Sequence, residues 1–387
     1  MSASRLDVAV VGAGAAGSSA AYHLALLGHS VAVIEPGPWP QAKPCGGGMA
    51  ASVQSWFPCD LAPVVDRVID QVRFTWCLDD PVLAPLPGES PFWIVRRKKL
   101  DVFLLEQAQS HGAECLFGFG VKAIERDSNG WRLQLRASGG DQYLCCRALV
   151  LAHGSKGDLT RELGLGDPKP KLASALAVEL EGPVLDESTA RFEFGLVKHG
   201  FCWCFPREGG YSIGVGTFLG DSSKNDVTNY DQVLNKLLPA LGFEANAGMR
   251  RPWPLRVWNG HHPLHGHGVV AVGDAASLAD PFLAEGLRPA LLSGVRSAEA
   301  LHRWLGGDLA ALANYTATMR AEWGDSMQWG RRIGQVFYRF PKVGYQLGIK
   351  RPTAPQRIAQ ILSGEMGYGD IAQRVIRRLG GSMLGLK

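Results

Sequence analysis

The sequence predicts an α/β protein in which a Rossmann-type nucleotide-binding domain is interrupted by a β-rich substrate domain and followed by a helical C-terminal region. Three observations lead there. A buried apolar strand, 6–11, runs into Gly12-Ala13-Gly14-Ala15-Ala16-Gly17 and then a helical pattern. A second buried strand, 268–272, ends far downstream in Gly273-Asp274 before another helical pattern. Between them, from 172 to 218, apolar residues alternate in the manner of sheet strands with one covered face.

Taken in order, strand 6–11, helix 15–27 and strand 30–34, ending at Glu35, form one βαβ unit. A Pro- and Gly-rich loop over 36–48 is longer than such connections usually are and is expected to be functional. An amphipathic helix follows at 100–111, then a hairpin of 121–126 and 131–135 turning at Ser128-Asn129-Gly130, then strand 148–152, which stops at His153-Gly154. Strands at 174–181, 190–194, 201–205 and 211–217 make the second sheet, and a helix at 287–301 follows Gly273-Asp274. The remainder reads as helical, interrupted by Pro341, Pro352 and Pro355. The nucleotide domain is therefore expected to be discontinuous, at 1–75, 95–170 and 266–305. The substrate domain takes 76–94 and 171–265, and the helical basic region 306–387.

A chain of 387 residues can bury a large core, and its net charge of +4 excludes little. The charge is unevenly spread: from Arg331 onward eleven Lys and Arg face only Glu365 and Asp370. Two readings stand, a solvated basic face and a surface that meets an anionic membrane, with the aromatic stretch 329–350 able to dock on a bilayer. No nucleic-acid partner and no obligate protein partner is indicated. The eight cysteines contain no Cys-x-x-Cys pair and fit neither a zinc site nor a disulfide scaffold. The uncharged stretch 9–27 is broken by glycines and polar residues, so it reads as neither a signal nor a span, and a cytoplasmic location is expected. His261, His262, His265 and His267 cluster in a segment broken by Pro263, Gly266 and Gly268, which cannot align two of them on a helix, and no metal is expected.

The glycine cluster acquires meaning from lying between a strand and a helix. Gly12 permits the tight turn, Gly14 lets the backbone approach a pyrophosphate, and Gly17 lets the helix pack on the strand, with Ala15 and Ala16 opening the helix N-terminus toward the phosphates. Glu35 is placed to accept hydrogen bonds from a ribose hydroxyl. Gly273-Asp274 selects FAD over NAD, because a carboxylate there can hold the ribityl hydroxyls that only a flavin has. Downstream, Pro281 to Leu287 brings backbone N–H groups of Glu285, Gly286 and Leu287 to the flavin ring.

These segments resemble the p-hydroxybenzoate hydroxylase-like flavoproteins, and most closely the geranylgeranyl reductase family. The more selective likenesses are Lys43-Pro44-Cys45-Gly46-Gly47-Gly48, similar to that family's Cys-Gly-Gly loop, Arg97-Lys98-Lys99-Leu100-Asp101, similar to its Arg-x-x-Phe-Asp helix start, and Gly200-Phe201-Cys202-Trp203-Cys204-Phe205-Pro206, similar to its Tyr-x-Trp-x-Phe-Pro strand. The phrase 362–368 also resembles the family. His153 in place of Asp, Phe201 in place of Tyr and Ala284 in place of Gly are departures.

The resemblance implies saturation of carbon–carbon double bonds in a prenyl chain, carried by a lipid, a pigment or a diphosphate. Reduced FAD gives a hydride and an acid supplies a proton; NADPH or another external donor re-reduces the flavin. Cofactor contacts are implied to extend to Pro36, Cys45, Gly46, Gly48, Met49, Arg97, Val121, Gly154 and Pro281. Cys45, with Gly46 and Gly47, is the candidate for the acid or its gate, or else fills a tight loop; a thiol is ordinarily protonated at neutral pH. Phe201, Trp203 and Phe205 alternate on one strand face, with Pro206 after them, and form either an apolar substrate pocket or plain core. Arg97 either contacts the phosphates or ribityl chain or is a solvated cation. The rival readings are an FAD-dependent monooxygenase or halogenase on the same fold, and a non-catalytic flavin-binding redox sensor.

Overall fold

The computed structural model describes residues 5–374 except 42, 89–90, 220–228 and 352. The nucleotide-binding half is an eight-stranded sheet. Its parallel centre runs Val269–Ala271, Gly140–Leu151, Leu6–Val11, Val31–Glu35 and Glu114–Phe117. The central strands carry little but Val, Ile, Leu and Ala because both faces are covered. Register sets the site: Val11 pairs with Leu151, and Leu151 with Ala271. The chain therefore leaves all three strands at the same level, at the carboxyl edge where such sheets bind their ligands.

The helix Ala15–Leu26 is buried over almost its whole length, which its glycines make possible. A Cβ on Gly17 would lie 1.8 Å from the Gly12 carbonyl oxygen, so only Gly lets this helix sit on the strand end. On its other side packs the long helix Leu287–Leu305, where a Cβ on Gly294 would be 2.6 Å from the Ala16 carbonyl. Ser19 ties the pair together by donating from Oγ to the Leu291 carbonyl at 3.0 Å.

The second sheet has seven strands, ordered Arg251–Val257, Lys171–Glu181, Gly210–Thr217, Gly200–Arg207, Thr189–Phe194, Gln71–Trp76 and Asp79–Pro85. Gly200–Arg207 is buried on both faces. Its even-numbered Cys202 and Cys204 pack with Leu234, Leu237 and Leu238 of the helix Tyr230–Ala240, while its odd-numbered aromatics face the other way. A three-stranded sheet of Gly48–Ala50, Phe92–Val95 and Val65–Ile69 lies at the third side.

Several expected boundaries move. Gln71–Trp76, counted with the nucleotide domain, pairs in parallel with Thr189–Phe194 because its Val72 and Phe74 find their buried neighbours there. Phe92–Val95, counted with the substrate domain, pairs instead with the end of the 36–48 loop. The helix expected from Leu100 starts at Arg97, and the strand expected from Ala148 starts at Gly140 as the far arm of the hairpin Gly130–Ala137. The helical region breaks at Pro341 and before Pro355, as expected, and each Pro sits in the first turn of the next helix, Pro341–Gly348 and Ala354–Leu362, where a missing N–H leaves no bond unmade. Pro352 lies outside the described residues, as do Arg377, Arg378 and Lys387 of the basic tail.

His23 lies in the helix Ala15–Leu26, its ring centroid 5.1 Å from Phe57 and its Nε2 buried without a partner. Burial holds it down to about 4 from an ordinary 6.5. The unfolded chain therefore takes up this proton at higher pH than the folded one, and stability is lost as pH falls from about 6.5 toward 4. Replacing His23 with Leu is expected to remove on the order of 2 kcal/mol of the acid-side loss. The check is urea unfolding at pH 7 and pH 4.5, where the variant should show the smaller difference between the two midpoints.

Candidate flavin and substrate site

Two cavities meet above the carboxyl edge of the parallel strands. The first is walled by the Gly14–Ala16 turn, Lys43, Arg97, Gly154 and Asp274. The second is walled in large part by rings: Phe92, Phe192, Phe201, Trp203, Phe205, Phe218 and Trp253. Cys45, Trp253, Leu255, Ala284, Gly286 and Leu287 belong to both walls, so the polar chamber and the aromatic one adjoin.

The first chamber fits a dinucleotide. Lys43 Nζ lies 2.8 Å, and Arg97 Nη2 3.7 Å, from the point a Cβ on Gly14 would occupy. Two cations thus face the bare backbone of the glycine turn at a helix N-terminus, the arrangement that holds a pyrophosphate. Burial lowers the Lys43 ammonium, against the pull of Asp101, and Lys43 has no ion pair within 4.0 Å among the described residues. Arg97 is braced by Asp101 at 2.8 and 3.1 Å, one turn along its own helix. Burial pushes the Asp274 carboxyl up to about 6 against Arg97, Lys43 and Arg256, which lie on the same side. A carboxyl with that much buried cationic surrounding is suited to hydrogen-bond a polyol chain such as ribityl.

Glu35 is committed differently from the expectation. Its Oε2 accepts from the Ala13 N–H at 3.0 Å, and its Oε1 from the Gly37 N–H at 3.2 Å and from Gln41 Nε2 at 2.6 Å. It fixes the glycine turn and lines neither chamber. Gly12, Gly17 and Gly273 lie behind the wall in packing roles, and Pro36, Met49, Val121, Pro206 and Pro281 are also outside both walls. Arg97, Gly154, Asp274, Gly286 and Leu287 are brought together in the first chamber.

In the second chamber the 36–48 loop closes directly on the aromatic strand. A Cβ on Gly46 would lie 2.9 Å from Phe205, and one on Gly47 2.0 Å from the Val95 carbonyl at a positive φ of 79°. The loop is pinned through the Cys45 carbonyl, which accepts from Arg207 Nη2 at 2.5 Å and from Ser212 Oγ at 3.2 Å. The Cys45 Sγ accepts from the Gly47 N–H at 3.3 Å. Trp203 donates from Nε1 to Ser212 Oγ at 3.3 Å, which fixes its ring against the chamber.

Sequence reasoning missed Lys43 as a charge on the phosphate site, although it stands in the quoted loop. It also missed Trp253, Leu255, Phe192 and Phe218, whose signal was only the alternation of apolar residues. His153 is held down to about 4 by burial and bonds the Lys156 carbonyl at 3.0 Å, so the departure from Asp leaves a neutral imidazole beside the site. The four clustered histidines have separate partners: Asp325 for His261, Asn259 for His262, Thr316 for His265 and Trp304 for His267. Among the described residues there is no group of three metal-ligating side chains.

Replacing Lys43 with Met keeps the length of the side chain and removes its charge. FAD affinity of the apoprotein, followed by quenching of flavin fluorescence, is expected to fall about 10- to 100-fold. Unchanged affinity would take Lys43 out of the phosphate site.

The profile of the family described as FAD dependent oxidoreductase matches residues 7–72 and 89–304. The chain is 30% identical to digeranylgeranylglycerophospholipid reductase 2 of Methanothermobacter thermautotrophicus, with 87% of this chain and 86% of that protein covered. It is 27% identical to geranylgeranyl diphosphate reductase of Rhodobacter capsulatus, with 90% of each covered. Among solved structures, a geranylgeranyl bacteriochlorophyll reductase-like protein of Thermoplasma acidophilum superposes with a TM-score of 0.79 at 18% identity, covering 93% of this chain and 91% of that one. The flavin-dependent brominase Bmp2 superposes at 0.73 and 20% identity, covering 97% and 100%. These likenesses, together with a chamber built for a dinucleotide, make this chain a member of the FAD-dependent oxidoreductase family that resembles its geranylgeranyl-type reductases.

Proposed function

We propose that this protein is a flavin-dependent reductase that saturates carbon–carbon double bonds of a prenyl chain. The observation that carries the reading is the shared wall: a mostly apolar chamber lined by seven aromatic rings opens beside the one that fits FAD. A branched hydrocarbon chain is the substrate that a chamber lined mostly by rings accommodates. When bound and reduced, FAD supplies a hydride.

The chain's own residues do the rest. An isolated trisubstituted alkene accepts hydride poorly, so protonation has to develop tertiary cation character at the carbon that receives it. Phe201, Trp203 and Phe205 turn π-faces to that carbon and stabilise the charge, and the exclusion of water keeps it from being trapped. The Cys45–Gly48 loop presses the chain toward the shared wall. Lys43, Arg97 and Asp274 fix the dinucleotide so that its ring reaches that wall. Re-reduction falls to an external donor of the NADPH type.

The prenyl carrier is proposed to be met at an anionic bilayer. Among the described residues no helix is long and apolar enough to cross a membrane. The helices Asp325–Arg339 and Pro341–Gly348 expose Val336, Phe340, Val343 and Leu347, at 71, 60, 55 and 52%. Arg332, Arg339 and Lys342 stand beside them, a mixture that supports peripheral docking. Changing Phe340 to Glu is expected to abolish co-sedimentation with vesicles containing phosphatidylserine while leaving the flavin spectrum intact; retention on the vesicles counts against this face.

The reaction is tested anaerobically with photoreduced holoprotein and a geranylgeranyl-bearing phospholipid in micelles. Mass spectrometry should find a gain of two hydrogens per double bond reduced. A product formed only when oxygen is admitted would instead mark a monooxygenase or halogenase, and a flavin that no alkene reoxidises would mark a binding protein.

A further inference from the structure

The aromatic chamber contains two side chains able to release a proton, Cys45 and Glu285; its other walls are carbon, backbone and indole. Glu285 belongs to a loop whose shape is strongly determined. Asp280 Oδ1 accepts from the Phe282 and Leu283 N–H groups at 2.6 and 3.0 Å. The Asp280 N–H donates to the Glu285 carbonyl at 2.9 Å, and Ala284 takes a positive φ of 56° between them. Asp280 Oδ2 in turn accepts from the Tyr368 hydroxyl at 2.6 Å, so the C-terminal segment clamps the same loop.

Within this frame the Glu285 side chain is only 8% exposed. Its Oε2 lies 3.0 Å from Arg288 Nη2. Its Oε1 is fully buried with no hydrogen-bond partner, and neither has Arg288 Nε. A buried carboxyl oxygen without a partner is unfavourable and is seldom left so without a use. The groups facing it are Arg288 on the helix Leu287–Leu305, Asp280 on its own loop and Tyr368 on the C-terminal segment, and Cys45 lines the same chamber. Arg288 is itself held over the Trp323 ring at 5.0 Å, which stops it from swinging out to solvent.

We infer that Glu285 is the proton donor of the reaction, an inference that rests on the reductase reading above. The O–H bond of its carboxylic acid breaks, and the alkene π pair forms a C–H bond to that proton. The neighbouring carbon takes the hydride supplied by reduced FAD, which is oxidised by two electrons. The carboxylate left behind is neutralised by Arg288 and regains its proton from water once product leaves. Cys45 is the weaker candidate: its sulfur is engaged as an acceptor by the Gly47 N–H, within the loop it closes. Phe201 offers no hydroxyl.

Two readouts test this. In infrared spectra of the FAD-loaded protein, burial should keep Glu285 protonated up to about 7, against the pull of Arg288. A protonated-carboxyl stretch should therefore disappear between pH 6 and 8 in the native protein and be missing from Glu285→Gln, which keeps its flavin. In anaerobic stopped-flow, reoxidation of the reduced holoprotein by a geranylgeranyl phospholipid should slow by roughly 10²- to 10⁴-fold in Glu285→Gln and recover in part in Glu285→Asp. The native rate should fall as pH rises through about 7, and that fall should vanish in Glu285→Gln. A Glu285→Gln protein reoxidised at the native rate, or a native spectrum with no titrating carboxyl there, overturns the donor role alone. A native protein that the alkene does not reoxidise overturns the reductase reading and the donor role with it.

Discussion

The site depends on the register of three parallel strands. Because Val11, Leu151 and Ala271 stand side by side, Gly12–Gly14, Ala152–Gly154 and Gly273–Asp274 emerge at one edge of the sheet. A slip of one residue in either pairing would exchange the side chains packed on the two covered faces and separate the phosphate turn from Asp274. The register is in turn secured by packing that admits no larger side chains: Gly17 against Gly12, and Gly294 against Ala16. The same contacts that hold the two halves of the nucleotide domain together also aim the helix N-terminus at the phosphate site.

Much of this was legible because its causes are local. A strand, a glycine turn and a helix have to be consecutive, and an Asp at a strand end has to follow its strand, so both nucleotide motifs survive as strings of residues. Alternation of Phe201, Trp203 and Phe205 likewise reports a shared face at any strand that obeys the pleat. What was not legible is what depends on distant chain. Gln71–Trp76 reads as an ordinary strand and reveals its sheet only when Thr189–Phe194 lies beside it. Glu35 stands at the expected place, yet its carboxylate is consumed by Ala13, Gly37 and Gln41, a choice decided by how the 36–48 loop folds back. Lys43 could not be ranked above the other 39 cations until that fold placed it over Gly14.

A fold shared with a brominase at a TM-score of 0.73 shows that the architecture leaves the chemistry open. The difference has to lie in what faces the shared wall. Here the chamber beyond it is lined by seven rings, and its side chains able to release a proton come from the Cys45 loop and the Asp280–Leu287 loop. A lining of that kind strengthens any charge interaction beside it by lowering the local dielectric.

That placement links the C-terminal region to the chemistry. Tyr368 is fully buried and its hydroxyl meets Asp280, the residue that shapes the loop carrying Glu285. Leu362, at the end of the last described long helix, lines the aromatic chamber itself, and Gly364 lies against Arg288, where a Cβ would be 2.8 Å from its Nη1. The helical segment is therefore one wall of the site and the brace of its acidic loop. The helix Asp325–Arg339 packs on the same elements, Phe337 against Phe282 and Gly330 against Tyr368, so the exposed Val336–Leu347 face and the loop carrying Glu285 share one structural support.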